Sequence, residues 1–524
     1  MTKINNNILY GDQNFSIPWH YNYGAFFLEK IKCHGNSIAL IHGVTGEQIT
    51  FRELLQQVVN TASSLVDLGV EVGDVVALCS ENRIEFIVTA LAVCCVGGVV
   101  TFYNYTYTSS EMKHAIGITK PKFMFLSKNV FDTHYEEMKK ANIQQFIVYG
   151  HKLDTRQFFC FEDLKNKYKD VSTYTPHHFL GEDQTCMVLY SSGTTGPSKG
   201  AKISHLNFIV SGQQPLCIVS EFTILMVAPW SSTMGIACLL QYMINGRKTV
   251  FLPRYEERLY LETIEKYQVG FILVAPPIVS ILIKSELANN YNLSSLKIVF
   301  SGGAPLSIKN IMELKSRYPH IKYSLQGYGM TETTGATTQD YETSPREGSV
   351  GRTAAGNIIK VVDPDTGKLL GCREAGEVCV KGAVLFQGYI GILPNTLFDD
   401  EGFYKTGDIA YYDEDGYFYI VDRIKELIKY NAWQVSPSEL EALLLQHAHI
   451  KDVGVVGAPD PKAGELPTAF VVKQPNSIIT ETEIVDYVKS KVASWKHLRG
   501  GVIFVNEIPK NPSGKILRRK LKQL

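Results

Sequence analysis

The feature that most restricts how this chain can fold is an alternation. Through the first four hundred residues, short apolar runs with the make-up of buried strands are separated by amphipathic or apolar helical stretches. VVALCS (75–80) reads as a strand and ENRIEFIVTALAVCCV as the helix that follows it. GVVTFYN and KFMFLS continue the series, and TVFLP (249–253), FILVAP (271–276) and KIVFSGGAP (297–305) extend it. Buried β runs joined by helices predict a layered α/β architecture with mostly parallel sheets. Ligands in such folds sit on loops beyond the carboxyl ends of the strands. Two polar, glycine-rich stretches stand there: YSSGTTGPSKG (190–200), whose tyrosine ends the apolar run CMVLY, and the SGGAP that closes KIVFSGGAP.

The pattern changes after about residue 350. VGRTAAGNIIKVVDPDTGKLL reads as strands joined by a tight turn at Asp365-Thr366-Gly367, and GEVCVKG and FYKTGDIAYYDEDGYFYIVDR continue as short strands with Asp/Gly turns. This predicts a β-rich subdomain. SPSELEALLLQHAHI then opens a helix with Ser436 as N-cap, Pro437 at N1 and Glu439 completing a capping box. The last hundred residues give DVGVVGAPD and TAFVVKQ as strands, ETEIVDYVKSKV as a helix, GVIFVNEIP as a strand and a basic tail. That is the pattern of a small α+β domain. A chain of 524 residues exceeds the roughly 250–300 at which single cores stop growing, so more than one domain is expected.

Composition narrows the function classes. Lys plus Arg (52) balances Asp plus Glu (52), so no strong field favours nucleic acid. The longest apolar run, FIVTALAVCCVGGVV (86–100), is shorter than the about 20 residues of a membrane span and is interrupted by Gly97-Gly98. It reads as a buried helix turning into a buried strand. The ten cysteines form no C-x-x-C pair, which predicts reduced core thiols in an intracellular protein rather than a disulfide frame or zinc site. MTKINNNILYGDQNF lacks the apolar segment of a secretory signal. The final Lys522-Gln523-Leu524 is not the peroxisomal S-K-L address, so a cytoplasmic location is expected over a peroxisomal one. No protein partner is implied.

Five segments carry candidate chemistry. YSSGTTGPSKG lacks Walker A spacing, but backbone N–H groups freed by glycines, flanking hydroxyls and Lys199 can cradle phosphate oxygens. QGYGMTETTG (326–335) supplies Gly327 and Gly329 for close backbone approach and Tyr328 as a flat face for a base. Its Glu332 is a hard oxygen ligand suited to Mg²⁺ beside phosphates. YKTGD (404–408) ends on Asp408, a carboxylate able to accept two ribose hydroxyls. DRIKELIK (422–429) brings Arg423, Lys425 and Lys429, and NPSGKILRRK (511–520) places Lys515 after Ser513-Gly514. Taken singly, each also fits an ordinary loop, turn or solvated face. Five in this order argue for a nucleotide site.

These segments, with ITFRELL (49–55), VFSGGAPLS, IVDRIKELIKY and KHLRGGVIFVNEIPK, resemble the adenylate-forming superfamily of acyl-CoA synthetases, 4-coumarate-CoA ligases and beetle luciferases, and its luciferase-like branch in particular. The resemblance spans nearly the whole sequence. It implies a large adenylation domain over 1–421, binding ATP and the acid, and a mobile C-terminal lid domain over 422–524. It implies a carboxylic acid substrate, ATP, Mg²⁺ and CoA, or O₂ as co-substrate for a luciferase. By the resemblance Ser191, Ser192, Gly193, Thr194, Thr195, Gly196 and Lys199 hold the β/γ-phosphates, Glu332 holds magnesium and Thr331 touches phosphate. Gly302, Gly303, Ala304, Gln326, Gly327, Tyr328 and Gly329 line the adenine pocket, and Asp408 takes the ribose with Arg423 beside it. Lys515 bridges the α-phosphate and the acyl oxygen during adenylation. The C-terminal domain then swings about Asp422-Arg423, bringing Lys429 and Gln434 to help a thiol attack. Ser232, Met234, Ile278, Ser301, Met330 and Gly335 fall at acid-pocket positions.

Two departures bear on the outcome. Lys429-Tyr430-Asn431-Ala432-Trp433-Gln434 carries Ala432 where relatives have glycine on the expected pantetheine path. VAPWSSTMG (227–235) carries Ser231 and Ser232 where beetle luciferases have histidines, and Met234 in place of an aromatic, so the acid should differ from beetle luciferin. Three outcomes follow from the resemblance: an acyl- or aryl-CoA ligase, a luciferase that oxidises its adenylate with O₂, or a non-catalytic relative. The presence of Glu332, Asp408, Arg423 and Lys515 argues against the last.

Overall fold

The computed structural model of the chain describes residues 2–150, 158–181, 183–191, 198–304, 306–393, 397–431, 433–510 and 515–524. The expected strands form. VVALC at Val75–Cys79 pairs in parallel with Val99–Tyr103 on one side and Phe123–Ser127 on the other. Gln145–Tyr149 and Phe158–Cys160 extend one edge in parallel. Thr185–Ser191 extends the other, and Lys199–Ser204 folds back antiparallel upon it. A second sheet has Tyr323–Met330, Ile298–Ser301, Val269–Val274, Thr223–Met226, Thr249–Phe251 and Ile38–His42 as its parallel centre. Antiparallel strands cap both of its ends.

Helices fill the space between these sheets. Ile84–Cys95, the helix of the long apolar run, is buried at every position except Glu85, as expected of a helix that is apolar all round. It packs on the amphipathic helix Phe51–Asp67, whose Thr50 and Glu53 form a complete capping box. One apolar cluster runs from Phe51 and Phe86 through Trp230 to Phe271 and Phe300, uniting both sheets in a single core. A Cβ on Gly24 would fall 2.6 Å from Cys95 N, so the helix Tyr23–Ile31 needs glycine to lie this close. All ten cysteines are free, and Cys33 alone is exposed.

The β-rich subdomain is an antiparallel sheet of Asn357–Val362, Gly376–Gly382, Tyr404–Tyr412 and Phe418–Arg423. Its far edge is completed by Lys3–Asn5 and Ile8–Tyr10, an N-terminal hairpin of two three-residue strands, too short for a periodic pattern to show. The turn at 363–367 forms, with Asp363 Oδ1 accepting from Thr366 N at 2.7 Å. The segment after it makes one bridge, Val362 to Leu369, and the main partner of Asn357–Val362 is Gly376–Gly382.

A smaller C-terminal domain is built on Ile450–Asp460 and Gly464–Lys473, flanked by Ile428–Tyr430, Trp433–Val435 and Val502–Phe504. Ser436 caps the helix Pro437–Leu444 by accepting from Glu439 N. The reciprocal half of the expected capping box is replaced, because the Glu439 carboxylate is drawn to Lys496 Nζ at 2.6 Å. The basic tail is also more than a tail: Arg518 is held, mostly buried, between two carboxylates, Glu426 and Glu441. Among the described residues no helix is long and apolar enough to cross a membrane.

Candidate active site

Adjacent parallel strands deliver their carboxyl ends to one place. Ile298–Ser301 leads into Gly302 and Gly303, and its neighbour Tyr323–Met330 carries Gln326, Gly327, Tyr328 and Gly329. A Cβ on Gly327 would lie 2.7 Å from the Phe300 ring, and one on Gly329 would lie 2.0 Å from Gly335 O. Only glycine permits this closeness. Gly303 has φ +82° and nothing within 4 Å of a Cβ position, so its backbone faces open space. Gln326 is buried, and its amide is spent on the fold: Oε1 accepts from Leu306 N at 3.0 Å and Nε2 donates to Ser349 O. It holds the loop bearing Gly302, Gly303 and Ala304 against the strand. Ser301 Oγ is buried without a hydrogen-bond partner among the described residues.

A short 3₁₀ turn, Thr331–Thr333, follows. Thr331 Oγ1 accepts from Thr233 Oγ1 at 3.0 Å. Glu332 is buried and accepts from the Tyr389 hydroxyl, while Phe386 N donates to Glu332 O at 2.9 Å. Burial and the Glu332 charge push the Tyr389 phenol up. Lys199 Nζ lies 5.0 Å from the Tyr389 ring centroid. Ser191 and Lys199 face each other in register, at the end of Thr185–Ser191 and the start of Lys199–Ser204. Ser192, Gly193, Thr194, Thr195 and Gly196 lie outside the described residues. One carboxylate here suits Mg²⁺, which usually takes one or two protein carboxylates and completes its shell with phosphates and water. No cluster of three or more His, Cys, Asp or Glu able to hold a metal occurs among the described residues.

The third element is a buried charge cluster. Asp408, on Tyr404–Tyr412, is 3% exposed. Its Oδ1 lies 2.8 Å from Arg423 Nε, and its Oδ2 accepts from the Tyr328 hydroxyl at 2.7 Å. Burial pushes the Asp408 carboxyl above its usual range, against the pull of Arg423 and Tyr328. A carboxylate has about four lone-pair sites, so two donors leave acceptor capacity for two hydroxyls. Lys515 Nζ lies 4.0 Å from Glu426 Oε1, and its electrostatic neighbours are Arg423, Glu426, Asp408 and Arg518. Burial first, then the Arg423 and Arg518 charges, bring the Lys515 ammonium down to about 8.

The segment 228–235 forms a tight turn into the helix Thr233–Ile244. Ser232 Oγ accepts from Gly235 N at 3.2 Å and donates to Pro229 O at 2.7 Å, so its hydroxyl acts as the helix cap. Met234 Sδ comes within 3.4 Å of a Cβ position on Gly302. Met330 and Gly335 are opposed across the antiparallel pair. Ile278 packs instead with a separate cluster around Val227 and Leu282. Lys429 is exposed on Ile428–Tyr430 in the C-terminal sheet, apart from the Asp408 cluster. Gln434 pairs with it in register; Ala432 lies outside the described residues. Sequence reasoning missed Tyr389, Glu426 and Arg518. Tyr389 looks like any core aromatic in a strand-rich stretch, whereas Glu426, inside DRIKELIK, carried a signal by its place beside Arg423.

Residues 27–390 match the family model of the AMP-binding enzyme, and residues 439–515 match that of the AMP-binding enzyme C-terminal domain. The chain belongs to the AMP-binding enzyme family. Within this adenylate-forming family it is 36% identical over 534 residues to a luciferin 4-monooxygenase of Photuris pensylvanica, covering 99% of this chain and 98% of that protein. It is 35% identical over 539 residues to a probable CoA ligase of Humulus lupulus, covering 99% and 96%. Among solved structures it resembles ATP-bound MatB from Rhodopseudomonas palustris, with a TM-score of 0.85, 27% identity and coverage of 96% and 98%.

Proposed function

We propose that this AMP-binding enzyme activates a carboxylic acid with MgATP and transfers the acyl group to the thiol of coenzyme A. The observation that carries this is the buried cluster in which Tyr328 and Arg423 hold Asp408 while Lys515 stands beside them. In the first half a carboxylate oxygen bonds to the α-phosphorus of ATP and the bond to pyrophosphate breaks. An anion attacks an anion, so catalysis rests on fixed cations and donors. Asp408 takes the ribose hydroxyls, and Gly302, Gly303 and Gly327–Gly329 leave backbone-lined room for adenine. Lys199 and the hydroxyls of 191–195 steady the pyrophosphate, and Lys515 neutralises charge on the α-phosphate and acyl oxygens. Glu332 would hold Mg²⁺, which when bound offsets charge on the phosphates. In the second half the thiol sulfur gives up its proton to solvent and bonds to the acyl carbon, and AMP leaves with the electron pair of the broken bond.

A luciferase is the second reading, favoured by the 36% identity to a luciferin 4-monooxygenase. There the adenylate meets O₂ rather than a thiol. Trp230, Ser232 and Met234 would then fit a luciferin unlike the beetle one. The test is incubation of the purified protein with MgATP and a panel of fatty and aromatic acids, with and without CoA, following pyrophosphate, thioester and light. Acid-dependent pyrophosphate with CoA-dependent thioester and no light is expected. Light without thioester transfers the protein to the luciferase reading. Lys515→Ala should lower ATP–pyrophosphate exchange about 100-fold or more with the fold intact, and undiminished exchange refutes its assignment.

A further inference from the structure

Lys515 is not placed by its own loop alone. The turn after Phe418–Arg423 projects Glu426, whose carboxylate spans two cations. Its Oε2 takes Arg518 NH1 at 2.5 Å, and its Oε1 lies 4.0 Å from Lys515 Nζ. Glu426 and Arg518 are both nearly buried, with side chains 10% and 12% exposed. Arg518 is fixed in turn: NH2 bonds both oxygens of Glu441 at 2.9 and 2.8 Å, and Nε donates to Val455 O at 3.2 Å. Glu441 also accepts from Val455 N at 2.8 Å, so the chain of contacts ends on the backbone of Ile450–Asp460, an edge strand of the C-terminal sheet.

We propose that Glu426 is a positioning residue for Lys515, holding its ammonium at the Asp408–Arg423 cluster through a clamp of Arg518 and Glu441. This rests on the reading that Lys515 acts in adenylation. The physical need is clear from the charges. Lys515, Arg423 and Arg518 converge, and their mutual repulsion is offset by Asp408, Glu426 and Glu441. Asp408 pairs with Arg423 and Glu441 with Arg518, while Glu426 is shared between Arg518 and Lys515. Without it, two guanidiniums would push the ammonium away or discharge it. Among the described charged groups acting on Lys515, Glu426 and Asp408 favour its proton and Arg423 and Arg518 oppose it.

The experiment measures ATP–pyrophosphate exchange across pH 6–9.5 for the wild type, Glu426→Gln, Glu426→Asp and Lys515→Ala. Thioester formation from synthetic acyl-adenylate is measured alongside, because the proposed role of Lys515 lies in adenylation and this half-reaction reports an intact fold. The wild-type profile should fall on its alkaline side near the Lys515 value of about 8. Glu426→Gln should move that limb to lower pH, losing about tenfold for each pH unit moved, and recover part of the loss near pH 6.5. Glu426→Asp should restore most of the profile, and thioester formation from the adenylate should stay near wild type in both. Glu426→Gln with a wild-type pH profile overturns the proposal, as does a uniform pH-independent loss, which would mark a purely structural role. If Lys515→Ala exchanges normally, the reading of Lys515 fails and this proposal falls with it. If Lys515→Ala is inactive while Glu426→Gln is unchanged, only this proposal fails.

Discussion

At the residue scale the site depends on one carboxylate bridging elements far apart in the chain. Asp408 receives Tyr328 from the end of a parallel sheet and Arg423 from the antiparallel sheet, so it ties the two sheets while presenting a preset acceptor. Breaking a buried pair from one side leaves the other charge uncompensated, at a cost of about 3–5 kcal/mol. The Arg423 side chain is about a third exposed, which lowers that cost here. Asp408→Asn should therefore fold, with a modestly lower thermal midpoint. Its KM for ATP should rise about tenfold or more, because an amide accepts at one end only. Tyr328→Phe should have a smaller effect in the same direction. An unchanged KM in Asp408→Asn, measured by pyrophosphate exchange, would remove Asp408 from nucleotide binding.

At the scale of elements, local pattern was readable and long-range pairing was not. Period, apolar content and turn residues located Val75–Cys79, Ile84–Cys95, Ile298–Ser301 and Glu481–Lys489 within a few residues, because each depends mainly on its own burial. The hairpin of Lys3–Asn5 and Ile8–Tyr10 was invisible, since its strands are only three residues long and gain their place by pairing with residues about 350 positions away. Glu439 leaves its expected cap for the same kind of reason, a cation 57 residues further on. The candidate site was legible wherever a motif concentrates its chemistry, as at Glu332, Asp408 and Arg423. It was illegible at Tyr389 and Arg518, whose meaning comes from partners distant in sequence. Asp340, just past the end of Gly335–Gln339, is unreadable for another reason, because its hydrogen-bond partners are local while its burial comes from tertiary packing. It is 1% exposed, accepts from the backbone of Tyr341 and Arg346, and burial pushes it up to about 7. The folded state thus binds its proton more tightly than the unfolded chain. Its stabilising contribution is full below about pH 4 and is lost as pH rises to about 7, a change of up to about 4 kcal/mol. Asp340→Asn should flatten the fall in thermal midpoint between pH 4.5 and 7; a slope equal to wild type would show that Asp340 is not the group responsible.

For the whole molecule, the proposed junction between the two domains, at Asp422 and Arg423, is a pair of neighbouring residues with opposite allegiances. The Asp422 carboxylate accepts from Ser436 Oγ at 2.5 Å and from Ser438 N at 3.1 Å, so it belongs to the first turn of the C-terminal domain's helix Pro437–Leu444. Arg423, the next residue, reaches back to Asp408 of the large domain. A rotation at this point can exchange the second attachment while keeping the first, which is how a hinge of few residues moves a rigid body. If such a motion occurs, Lys515 and Lys429 would mark its two positions. Lys515 stands at the Asp408 cluster, while Lys429 sits exposed on Ile428–Tyr430, with its backbone N donating to Glu465. If the C-terminal domain alternates as the family resemblance implies, the two lysines serve separate half-reactions and their losses should dissociate. Lys429→Ala should keep ATP–pyrophosphate exchange within about threefold of wild type and lose about tenfold or more in thioester formation from synthetic acyl-adenylate and CoA. Lys515→Ala should show the reverse. Equal loss of both half-reactions in both variants would mean that one fixed arrangement performs the whole reaction, and the exposed face carrying Lys429 would then have no part in thiol transfer.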